Sequence, residues 1–185
     1  MRRLRRGISP SAALERALTG RARPFGTGGP AENLRRLEAA VGRQEAARRL
    51  GVSERTLRRY RAGGKPTRAN AARLAEVTRT APEVRRAAVP EARRKRFRSR
   101  GAYVRMTADI GVTGDPKYRR RRTIGASSPV HLSGEQMAAI QDAFDAGDTD
   151  GAVDALRDAL GDEYAAGINF DDVQSLEFLR DDPTQ

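Results

Sequence analysis

Cysteine is absent from this chain, and tryptophan with it. Without cysteine there are no disulfides and no thiolate metal site. Histidine occurs once, at His131, which argues against a zinc site or a histidine-dependent triad. No run of 18 or more apolar residues exists, so no membrane-spanning helix is expected. The start, Met1-Arg2-Arg3-Leu4-Arg5-Arg6, is basic but lacks the apolar stretch of a secretory signal. These absences point to a cytoplasmic protein with no cofactor, and they argue against an enzyme with its own active site. Lysine is also scarce, at positions 65, 95 and 117 only, although the chain holds 36 basic residues. Nearly all of them are arginine, which pairs with phosphate through two parallel hydrogen bonds; a GC-rich genome gives the same bias, so it weighs little.

The charge is divided unevenly along the chain. From Ala126 onward there are two basic and fourteen acidic residues, a net of −12, which leaves +24 for Met1 to Gly125. Such a split suits a front that binds a polyanion and a tail with another task. The tail contacts a basic partner, folds back on the front, or serves only solubility.

Within the basic front, Gly42 to Arg61 reads as a helix-turn-helix. Ala46 and Ala47 are small enough for a second helix to approach closely. Gly51 follows Leu50, where a left-handed residue ends a helix. Val52 is expected to be buried in the turn. Ser53 is a good N-cap, and Leu57 returns to the core. Arg43, Gln44, Ser53, Glu54, Arg55, Thr56, Arg58, Arg59 and Arg61 are then the candidates for DNA contact, since the second helix of such a unit reads base edges from its N-terminal part. The bland reading is a helical hairpin with a solvated basic face.

The remaining pattern predicts an α+β protein: an N-terminal all-helical helix-turn-helix module, a basic linker and a C-terminal small α+β domain. Residues 1–30 are expected to form a flexible basic arm with a short helix over Ser11–Thr19. Residues 31–81 are expected to form the helix-turn-helix module. It opens with a helix over Ala31–Val41 (Leu34, Leu37 and Val41 inward) and closes with one over Thr67–Arg79 (Ala71, Leu74 and Val77 or Ala75 inward). Residues 82–100 read as an Arg-rich linker helix interrupted at Pro90. Arg94, Lys95, Arg96 and Arg98 flank Phe97 there. Either that tract follows phosphates while Phe97 stacks, or Phe97 belongs to the core. Residues 101–185 make the α+β domain. Val104, Met106, Ala108 and Ile110 alternate with polar residues as in a strand. A second strand is expected over Arg121–Ala126. Ser133-Gly134-Glu135-Gln136 is a capping box that opens a helix with Met137, Ile140 and Phe144 inward. A further helix covers Thr149–Tyr164 (Val153, Leu156, Leu160 and Tyr164), and a closing strand lies near Asp172–Phe178.

The order of these parts resembles the telomere terminal proteins (Tpg type) of linear Streptomyces chromosomes and plasmids, over roughly residues 30 to 180. The more specific segments are Met106-Thr107-Ala108-Asp109-Ile110-Gly111-Val112-Thr113-Gly114-Asp115 and Phe170-Asp171-Asp172-Val173-Gln174-Ser175-Leu176-Glu177-Phe178. The resemblance implies a protein that caps 5′ DNA ends and primes end patching from a threonine hydroxyl. It further implies a DNA polymerase and a telomere-associated protein as partners. The chain would then be an acceptor, not an enzyme. Carried over by motif, the acceptor is Thr113, with Asp115 in support and Thr107 and Tyr118 as competing hydroxyls. Arg119 to Arg122 would meet template or nucleotide phosphate. The bland reading makes Thr113 and Asp115 turn residues. The chain departs from the family in its N-terminal arm, its Arg-richer linker, and Val112 in place of a second hydroxyl beside Thr113. The alternative is a helix-turn-helix transcriptional regulator or plasmid replication or maintenance protein, a homodimer reading paired half-sites. A packaging protein that binds duplex without sequence preference is a third reading.

Overall fold

The computed structural model describes residues 7–20, 25–112 and 119–182. It is an α+β structure in two compact units, Ala22–Ala88 and Met1–Arg21 with Val89–Gln185. The helical unit is thus inserted into the chain of the α+β unit. This differs from the expected division in two places. The segment expected to be an arm contains α1 (Pro10–Thr19), which belongs to the α+β unit. The expected linker helix is two helices, α6 (Pro82–Ala88) in the helical unit and α7 (Glu91–Arg100) in the other.

The helical unit contains α2 (Pro30–Val41), α3 (Arg43–Leu50), α4 (Glu54–Arg61), α5 (Arg68–Thr80) and α6. Its core is built from Leu34, Leu37, Ala46, Leu50, Leu57, Tyr60, Leu74 and Val84, all buried. Thr78 is buried on α5 in place of an apolar residue, and its hydroxyl faces the Asn33 carbonyl. Ala71, Ala75, Val77 and Val41 are only half-buried.

In the α+β unit, β1 (Ala102–Gly111) is the central strand. The strands β2 (Arg120–Ile124) and β3 (Val130–Leu132) pair antiparallel with it, over residues 106–110 and 102–104 respectively. Because β4 (Asn169–Leu179) pairs with β1 along almost its whole length, β2 and β3 share the opposite edge. Ala102, Val104, Met106, Ala108 and Ile110 alternate inward and are buried. Two helices, α8 (Gly134–Ala146) and α9 (Thr149–Glu163), pack on each other. Both bonds of the expected capping box at Ser133 and Gln136 are present. Met137, Ile140 and Phe144 point inward as expected, but Tyr164 lies past the end of α9 and is exposed.

Helix α1 packs on β4 and α9. Leu14 and Leu18, one turn apart, are fully buried. Ser9 caps its start, with Pro10 in the first turn, and Gly20 ends it in the left-handed conformation at φ 70°. Capping and two buried leucines therefore order a segment whose composition suggests an arm. Ahead of α1, Ile8 exchanges both backbone hydrogen bonds with Val173 (2.8 and 2.9 Å). Val173 is free to do so because β4 bulges. Thr107 faces Ser175 and Asp109 faces Asp171, so Asp172, Val173 and Gln174 together oppose Ala108. Asp172 takes the strain of that bulge at φ 44°.

Candidate nucleic-acid interface

The turn between α3 and α4 forms a Schellman cap. The Val52 N–H reaches the Ala47 carbonyl and the Gly51 N–H reaches that of Arg48, both at 3.1 Å. Gly51 sits at φ 65°, where a side chain would be strained. Val52 is half-buried, less enclosed than expected. Ser53 then caps α4: its hydroxyl accepts from the Thr56 N–H at 3.2 Å and lies 3.0 Å from the Thr56 hydroxyl. Leu57 and Tyr60, three apart, face the core. The Tyr60 hydroxyl accepts from Asn70 of α5 at 2.9 Å, which fixes the rotation of α4 about its axis.

That rotation leaves Glu54, Arg55, Arg58, Arg59 and Arg61 exposed. Arg55 and Arg59 lie opposite Leu57 and Tyr60 by helical period. Arg55, Arg58 and Arg61 meet no carboxylate among the described residues. Arg59 lies over its neighbour's ring, 5.4 Å from the Tyr60 centroid. Arg43 and Gln44 are exposed at the start of α3, with Arg43 3.9 Å from Glu38.

The arginines at the other end of α3 have a different use. Glu45 binds both Arg48 and Arg49, and Arg49 reaches across to Glu83 of α6 at 2.8 Å. Hydrogen bonds from Arg48 and Arg49 pull the Glu45 carboxyl down to about 2. The bond from Arg49 does the same for Glu83, also about 2. Arg73 closes the end of α3 by donating to the Leu50 carbonyl at 3.2 Å. The paired arginines of α3 thus hold the fold, while Arg55, Arg58 and Arg61 of α4 are exposed and meet no carboxylate among the described residues. Two cations outside the sequence-based set, Lys65 and Arg68, are exposed just after α4. The signal for them is Gly64. It must stay small, since a Cβ would come within 2.7 Å of Arg59 Cγ, so the chain turns back beside the end of α4.

Most cations of the α7 tract have partners within the protein. Arg94 is buried and forms a two-pronged pair with Asp145 of α8, one contact at 3.1 Å. Phe97 is fully buried, edge-on to Phe178 at 5.7 Å between ring centroids. Arg96 is half-buried over Phe97, and Arg98 pairs with Asp142. Arg93 donates to the Ala17 carbonyl at 2.9 Å, and burial lowers its pKa. Of the four tract residues expected at DNA, Lys95 alone is both exposed and without an ion partner among the described residues. Of the two readings of this tract, the structure shows Phe97 in the core; the carboxylate partners of Arg94 and Arg98 lie far along the sequence, on α8.

Thr113, Asp115 and Tyr118 lie outside the described residues. Thr107 lies on β1, half-buried, its hydroxyl 3.0 Å from that of Thr123 on β2. Arg119 pairs with Asp171, and Arg121 with Asp109 and Asp172.

No protein-family model, no curated protein and no solved structure matches the chain. No helix among the described residues is long and apolar enough to cross a membrane.

Proposed function

We propose that the chain binds duplex DNA by placing α4 in the major groove, and that it acts as a terminal protein primed on Thr113. The observation that carries the first part is the row of exposed arginines on α4 that meet no carboxylate among the described residues. The second part rests on the resemblance of the β1 and β4 segments to the telomere terminal proteins. Thr113 falls in the connection between β1, which ends at Gly111, and β2, which begins at Arg120.

DNA binding is tested with Arg55→Ala and Arg58→Ala. A residue that reads a base edge loses about 1–3 kcal/mol on the preferred site and relaxes the preference there. An equal loss on all sequences identifies a phosphate contact instead. Wild-type affinity in both variants overturns the major-groove reading. Priming is tested by incubation with labelled deoxynucleotides and a host extract containing polymerase. Label should survive denaturation and disappear in Thr113→Ala. No label in the wild type, with a working control, leaves the helix-turn-helix as the part of a regulator or plasmid maintenance protein.

A further inference from the structure

Residues 119–122 are four consecutive arginines. A strand sends successive side chains to opposite faces, and β2 divides the run accordingly. Arg121 stands in register with Asp109 on the outer face. It is held there by Asp109 at 3.1 Å and Asp172 at 3.0 Å, and Arg119 by Asp171. Arg120 and Arg122 stand in register with Ile110 and Ala108 of β1. On β1 those positions face the core, yet both arginines are exposed. Neither meets a carboxylate among the described residues. Only Ile124 of β2 is buried. The side of the strand where a core would call for apolar residues therefore carries two free guanidinium groups, about 7 Å apart along the strand.

We propose that Arg120 and Arg122 on the free edge of β2 are a second DNA contact, binding neighbouring backbone phosphates of a duplex. Two planar donor forks side by side match phosphate oxygens. Their neighbours cannot serve, because Asp109, Asp171 and Asp172 already neutralise them. The contact belongs to the α+β unit and does not depend on the reading of α4. It carries no sequence preference, since it touches only backbone.

The test is the salt dependence of binding by the full chain to a labelled duplex of arbitrary sequence. Arg120→Ser/Arg122→Ser should weaken binding by the same factor on every sequence. It should also lower the slope of log affinity against log salt by about 2, one for each phosphate no longer neutralised. Arg120→Lys/Arg122→Lys keeps the charges and should retain most of that slope. Both sites are exposed, so the melting temperature serves as the folding control; if the serine pair melts early, the single variants Arg120→Gln and Arg122→Gln, each expected to lower the slope by about 1, decide the matter. Unchanged affinity and slope in the serine pair overturn the proposal. So does self-association with DNA affinity intact, which would make the arginines guards of an open sheet edge. A reduced slope in the serine pair, with Arg55→Ala and Arg58→Ala silent, would sink the α4 reading and leave this one standing.

Discussion

Arg94 and Asp145 have 10 % and 8 % of their side chains exposed and pair through both terminal nitrogens of the guanidinium group. Removing one takes from the other its buried ion partner. Arg94→Met should therefore cost about 3–5 kcal/mol, and Arg94→Met with Asp145→Leu should recover most of it. Thermal or denaturant unfolding of the three proteins checks this, and a double variant no better than the single one would refute it. Ser53 acts in a milder way. Its hydroxyl holds the first turn of α4 through the Thr56 N–H, so Ser53→Ala should cost about 1 kcal/mol. DNA binding should weaken by more than one hydrogen bond accounts for, because α4 frays at the end that would read bases; a titration against labelled duplex measures this.

At the level of elements, the packing of α3 depends on a carboxylate relay. Glu45 and Glu83 sit at about 2 against an ordinary 4.5. Folded values below the ordinary one mean that the stabilisation is complete above about pH 4.5 and is lost as pH falls toward 2. Arg49 is raised by the same bonds, led by Glu83, and stays charged throughout. Glu83→Gln should make melting of the helical unit less steep in pH between 4.5 and 2, as followed by circular dichroism. An unchanged acid limb would show that the relay contributes nothing. The turn after α3 is limited by Gly51, whose φ of 65° costs other residues about 1–2 kcal/mol.

For the molecule as a whole, the α+β unit is closed by a segment that precedes the helical unit in sequence. Leu14 and Leu18 fill its core, and Ile8 pairs with the bulge of β4. Deleting residues 1–21 should lower the stability of the α+β unit by more than a single buried Leu→Ala substitution, which costs about 2–5 kcal/mol. Protection of the α2–α6 amides should stay unchanged. Hydrogen exchange separates the two effects, and equal loss in both units would mean that they do not fold as distinct bodies.

Local rules suffice to read the helix-turn-helix, because its determinants lie within twenty residues of each other. Gly51, Ser53, Leu57 and the outward arginines each act through near neighbours. The strand alternation of β1 and the capping box at Ser133 are legible for the same reason. The fate of individual cations is not. Arg94, Arg98, Arg119 and Arg121 look like their free counterparts in sequence, and only folding brings Asp145, Asp142, Asp171 and Asp172 to them. Likewise α1 looks like part of an arm because its partner β4 lies some 150 residues away. Which segments turn, cap and alternate was written in neighbouring residues, since those are short-range steric and hydrogen-bonding choices. Which charges are neutralised and which remain to meet a partner emerged only on folding, because Coulomb pairing depends on distance in space and not along the chain.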